Sequence, residues 1–325
     1  MNVFDIKPFH DECCSCSSDI IACIAYHYKK NYNLIFYNSC AFGYNKSGDT
    51  HLLLRIGPWD KHNLLLQDAV FNYIGIRPQI HDRRDNNATH HSIRNELEKN
   101  KPVGIVTDTY CLPWSPTYHK HHTIHHILII GENADQFVCV DPYLSKEINS
   151  LEQKVFYELC NAIITFEIFD GNKNINPEKI LIYSIKNSLR CVDGKNDFDN
   201  MRDFSKDLEN MDIKKELIGY GKDEAVTFEV MAILLHSIIS VSSARKGFAK
   251  FLGDLSIRND KLSTYAECFN KISDNWMNVK NAFIKYSFRG FDTSFLNKIA
   301  KMIHDIADYE EETVSSIINQ IQCAG

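Results

Sequence analysis

Apolar residues recur at helical spacing after Cys16. Ile20, Ile21, Ile24, Ala25 and Tyr28 line one face, so residues 16 to about 30 read as an amphipathic helix. Ser15, Ser17, Ser18 and Asp19 are the small polar residues that open helices, which puts the first cysteines at or just before a helix N-terminus. Helical patterns follow at LLLQDAVFNYIG (64–75) and HSIRNELEKNK (91–101), the second stopped by Pro102. The period then changes. VGIVTD (103–108) reads as a buried strand, HHILIIG (125–131) and QFVCVDP (136–142) as two strands joined by the hairpin signal ENAD, and AIITFEIFD (162–170) as another. Helices first and strands later is the pattern of an α+β domain.

Polar stretches rich in Asn and Lys, GNKNINPEK (171–179) and VDGKNDFDN (192–200), separate this part from long helical segments at 201–211, 223–255, 261–288 and 295–322. No strand-like alternation interrupts them. With 325 residues the chain is long enough for two cores. The expected domains are an α+β catalytic domain over 1–175 and a mainly helical domain over 176–325 that forms part of the substrate cleft. Phe251 and Trp276 read as core of the second.

Composition narrows the function. A chain 44% hydrophobic and 24% charged is that of an ordinary globular protein, and a net charge of −6 gives no basic footprint for nucleic acid. The N-terminus lacks a signal-peptide pattern, and the longest apolar run, EVMAILLHSIISV, is broken by His236 and too short to span a bilayer. The expected location is cytoplasmic, with no membrane or nucleic-acid partner. Eleven cysteines in such a chain argue against a disulfide framework, and Cys139 and Cys160, among apolar neighbours, read as core.

A thiol becomes a useful nucleophile when a helix N-terminus and a histidine favour its ionised form. Cys16 has the helix start. YHKHHTIHHILIIGENADQFVCVDPY (118–143) supplies the rest: His125 begins a strand and Asp141 ends the next one across the hairpin, so the carboxylate can orient the imidazole. Alternation along the strand sends His125 and His126 to opposite faces, so only one is expected to point at the thiol. Cys14 is the competing nucleophile, and Asp141 before Pro142 also reads as a simple turn residue. A zinc site from Cys13-x-x-Cys16 and the cluster His119, His121, His122 and His126 is the rival from another class, although no second C-x-x-C follows. Asp108, Tyr110 and Trp114 in DTYCLPW read equally as an acyl pocket or as a strand end and turn packed in the core.

CSSDIIACIAYHYKKNYNLIFYNSCAFGY (16–44), KPVGIVTDTYCLPWSPTYHKHHTIHHILIIG (101–131) and VCVDPY (138–143) resemble the butirosin biosynthesis protein H family. The later SSARKGFAKFLGDL and NKISDNWMNV resemble its helical part. The resemblance implies a papain-like, C39-peptidase-like N-terminal domain with Cys16, His125 and Asp141 as the catalytic set. It implies transfer of an acyl group from an acyl or peptidyl carrier protein to a small amine or diamine, with no cofactor and no metal. C39-like enzymes carry an oxyanion-binding glutamine six residues before the cysteine; His10 stands there, and His122 joins the substrate-binding candidates. Lys29 replaces the glycine expected at the end of the first helix. A cysteine peptidase, a thioesterase and a non-catalytic binder of peptide-like metabolites are the alternatives.

Overall fold

The helix expected from residue 16 is α1 (Cys16–His27), opened by Ser15, whose hydroxyl takes the Ser18 N–H while Ser18 returns its hydroxyl to the Ser15 N–H. α1 closes in a Schellman turn: Lys30 N–H reaches Ala25 O at 2.8 Å and Lys29 N–H reaches Tyr26 O at 3.1 Å. That turn puts Lys29 at a φ of 53°, a region glycine enters more cheaply. The computed structural model describes residues 3–47, 51–58, 64–120, 122–171, 176–191, 194–212, 235–257, 260–288 and 293–322. The chain forms two units, Met1–Ile35 with Leu64–Ile175, and Phe36–Asn63 with Asn176–Gly325.

The first unit is α+β. Its strands are β1 (Ile76–Asp82), β2 (Val103–Asp108), β3 (Ile124–Asn133), β4 (Gln136–Val140), β5 (Ile148–Glu152) and β6 (Ala162–Ile168). They form one antiparallel sheet in the order β1-β6-β2-β3-β4-β5. The four strands legible in the hydrophobic pattern are β2, β3, β4 and β6. Both edges escaped it: β1 contains Pro78 and is exposed over most of its length, and β5 buries only Leu151. Besides α1, this unit holds α2 (Leu64–Ile74), α3 (Asn86–Glu98) and α4 (Gln153–Leu159). Ile105, Ile127, Ile129, Phe137, Cys139 and Ile163 of one sheet face pack with Ile93 and Leu97 of α3, Phe156 of α4 and Cys160 at the end of α4.

α1 covers the other face. A side chain at Gly104 in β2 would stand 3.2 Å from Ile20 of α1 and 3.0 Å from Ile164, so the glycine lets the helix lie close against the sheet. Leu128 of β3 pairs with Gly104, and His126 pairs with Val106. His126 therefore springs from the face that carries α1, and His125, opposite Thr107, from the other.

The second unit contains α5 (Pro177–Leu189), α6 (Asp197–Glu209), α7 (His236–Ser256), α8 (Lys261–Phe288) and α9 (Thr293–Gln322), with a short ladder pairing Gly43–Tyr44 with Ile56–Gly57. The C-terminal region is all-helical. α5 follows a stretch read as linker, and residues 223–234 of the expected long helix lie outside the described residues. Phe251 and Trp276 are buried as expected, and Phe42 stacks on Trp276. Arg245 of α7, fully buried, pairs with the equally buried Glu310 of α9 at 2.8 Å and donates to the carbonyls of Ser39 and Ala41.

Two stability outcomes follow. Arg245→Met or Glu310→Leu alone strands one buried charge and should cost about 3–5 kcal/mol in urea unfolding, whereas the double variant should regain most of it. Equal loss in the double variant would show that packing rather than charge pairing matters there. Lys29→Gly should raise stability by about 0.5–1 kcal/mol by removing left-handed strain; a loss would show that the lysine side chain holds the turn.

Candidate active site

The loop before α1 is fixed by two buried carboxylates. Asp11 takes the Cys13 N–H at 2.9 Å and the Tyr32 hydroxyl at 2.5 Å, and Asp19 takes the Asp11 N–H at 3.0 Å. The loop delivers Cys16 to the first turn of α1, where the helix dipole favours a negative sulfur.

Two imidazoles meet that sulfur. Nδ1 of His126 lies 3.4 Å from Cys16 Sγ. Burial raises the thiol pKa, but hydrogen bonds from His125 and His126 and their positive charge outweigh it and bring the value down to about 6. The expectation that only one histidine reaches the thiol is thus corrected. Alternation fixes where Cβ points, not where a ring nitrogen beyond it ends, and near the start of β3 rings from opposite faces converge on one sulfur.

His125 is held from behind. Its Nε2 sits 3.0 and 2.9 Å from the two carboxylate oxygens of Asp141, which is fully buried. With Nε2 donating to the carboxylate, Nδ1 is the nitrogen left for the thiol proton. Burial lowers the pKa of His125, but the bond to Asp141 and the partnership with Cys16 prevail and lift it to about 9. Asp141 also takes the Tyr143 and Leu144 N–H groups at 3.2 and 3.0 Å and the Trp114 indole N–H at 2.8 Å. It is both a turn residue and an anchor for the imidazole. The Trp114 contact has no signal in the sequence, because nothing local ties residue 114 to 141.

Cys14, the competing thiol, has the opposite surroundings. Burial and the nearby Asp19 carboxylate push its pKa well above the usual thiol range, so it stays protonated. Nδ1 of His10 is bound to Asp19 at 2.5 Å, leaving Nε2 for any other role, and burial raises the Asp19 pKa to about 6. Tyr143 stands edge-on to both His10 and His125.

Asp108, Tyr110 and His122 form a second group. Asp108 takes the Tyr110 and Thr123 N–H groups and pairs with His122 at 2.7 Å, while the His122 ring stacks on Tyr110 with centroids 4.2 Å apart. His121 lies outside the described residues. Among the described residues no three His, Cys, Asp or Glu side chains converge as a metal site would need, and no helix is long and apolar enough to cross a membrane.

The sequence model of one family, butirosin biosynthesis protein H, N-terminal, matches residues 34–142, about a third of the chain. These residues carry that family's domain. His125, His126 and Asp141 lie within the match and Cys16 precedes it. No curated protein matches the chain.

The two shifted pKa values define a window. A lowered thiol pKa keeps Cys16 as thiolate above about pH 6, and a raised imidazole pKa keeps His125 as imidazolium below about pH 9, so the ion pair is filled between them. Alkylation of Cys16 by iodoacetamide should therefore rise through about pH 6 rather than near the ordinary thiol value. In Asp141→Asn, His125 loses its proton at lower pH and the thiol titration moves up. An unshifted titration in that variant would show that Asp141 does not act through the imidazole.

Proposed function

We propose that this chain is an amide-forming acyltransferase whose first unit has a papain-like, C39-peptidase-like fold. The family domain over residues 34–142 points to an enzyme of natural-product biosynthesis. The observation that carries the reaction class is a thiol with its pKa brought down to about 6 beside an imidazole anchored on a buried carboxylate.

In this reading the Cys16 thiolate attacks the carbonyl carbon of an acyl thioester on an acyl or peptidyl carrier protein. The carrier sulfur leaves as thiolate and takes the proton of the His125 imidazolium. An amine then attacks acyl-Cys16, the carbon–sulfur bond breaks, and an amide departs. The acceptor is a small amine or diamine, as in closthioamide assembly. His10 serves the oxyanion through Nε2, which needs an N–H there; the His10–Asp19 pair supplies it when it holds the extra proton. Asp108, Tyr110, Trp114 and His122 form the substrate-contacting set, with the stacked Tyr110–His122 rings as a flat wall for an acyl chain.

The test is intact-protein mass spectrometry. Wild type and Cys16→Ala are mixed with an acyl N-acetylcysteamine thioester, and propane-1,3-diamine is then added. Wild type alone should gain the acyl mass and lose it to diamine as amide. Discharge to the free acid would make the protein a thioesterase or peptidase of the same constellation. Acylation of both proteins would move the nucleophile to another thiol, and acylation of neither would leave a binding protein.

A further inference from the structure

Aminolysis sets a proton problem that a single imidazole does not solve. At neutral pH an alkylamine arrives as ammonium, and two protons must leave its nitrogen before the amide is complete. His125 has given its proton to the departing carrier thiol, so it can accept one. It is 3% exposed, its Nε2 is tied to Asp141, and it also bonds to Cys16.

A second imidazole stands at the same sulfur. Nδ1 of His126 is 3.4 Å from Cys16 Sγ, the ring is only half-buried, and among the described residues no carboxylate holds it. It springs from the α1 face of β3, opposite in origin to His125, so the acylated sulfur is flanked from two sides. One ring is locked on a buried charge; the other is unanchored and reached by solvent.

We propose that His126 is a second catalytic base, which takes the first proton from the ammonium of the incoming amine at acyl-Cys16. This inference rests on the acyl-transfer reading above. The freed nitrogen lone pair attacks the acyl carbon, a C–N bond forms, and the carbonyl π pair moves to oxygen. His125 takes the second proton from the tetrahedral nitrogen. The carbonyl reforms, the C–S bond breaks with its electron pair on sulfur, and the thiolate–imidazolium pair of Cys16 and His125 is restored. His126 passes its proton to solvent.

The experiment compares two nucleophiles on the same acyl-enzyme at neutral pH: propane-1,3-diamine, which arrives protonated, and hydroxylamine, which arrives uncharged. Wild type, His126→Ala and His126→Gln are acylated with the N-acetylcysteamine thioester, and loss of the acyl mass is followed. The ratio of diamine to hydroxylamine discharge rates should fall about 100-fold in both variants, the lower end for a general base, and added imidazole should restore it in His126→Ala. An unchanged ratio overturns the proposal, because the amine then loses its first proton in bulk solvent. Variants that no longer acylate also overturn it and assign His126 to activation of the thiol. A wild type that never acylates, or discharges only to water, is a different result: there the acyl-transfer reading itself fails.

Discussion

The carboxylate of Asp141 is the contact on which the arrangement at one end of the first unit's sheet depends. A buried carboxylate is costly unless its lone pairs are occupied. Here the partners come from three places: the Tyr143 and Leu144 amides after β4, the Trp114 indole from the loop after β2, and the His125 ring from β3. Satisfying the charge therefore ties two strand ends and a loop together, and the same ties fix the tautomer of the imidazole. Positioning of the histidine and closure of that end of the sheet are one electrostatic requirement. A neutral residue there would relax both.

Buried charge has another use in the second unit. Arg245 and Glu310 are both sealed from solvent, and the guanidinium also reaches the carbonyls of Ser39 and Ala41. Phe42 donates its N–H to Asp197 and Tyr44 its hydroxyl to Asp207, which continues the stitching of the segment from Phe36 onto the helices. The hydrogen bonds of that segment are specific and directional, and they join stretches 155 to 206 residues apart in sequence. Apolar burial alone would hold the helices together without choosing where that segment lies.

What the sequence made legible follows from burial. β2, β3, β4 and β6 are interior strands whose apolar runs face cores, and their pattern is visible; β1 and β5 lie at the edges, where solvent permits Pro78, His81 and Asn149 and erases the pattern. The helix start at Cys16 was legible because capping is local, involving Ser15 and Ser18 alone. His125 and Asp141 were placed by hairpin connectivity and family resemblance together. That His126 reaches the thiol together with His125 was not foreseen, because it depends on which sheet face α1 covers, and that depends on Gly104 meeting Ile20 across 84 residues of chain. Trp114 was hidden for a similar reason.

Cys14 and Cys16 make the strongest case that environment rather than residue type decides the chemistry. They are two positions apart in a run of cysteines, and one N-cap separates them. Cys14 lies before Ser15, buried close to the carboxylates of Asp11 and Asp19, so ionising it would add negative charge to negative charge without solvent. Cys16 lies after Ser15, at the positive end of α1, where two imidazoles can share its proton. The carboxylates that hold the loop in shape also keep Cys14 from ionising. A shift of the helix start by half a turn would exchange these surroundings, and that is why the serine cap and the Asp11 and Asp19 contacts set the state of the two thiols as much as they shape the fold.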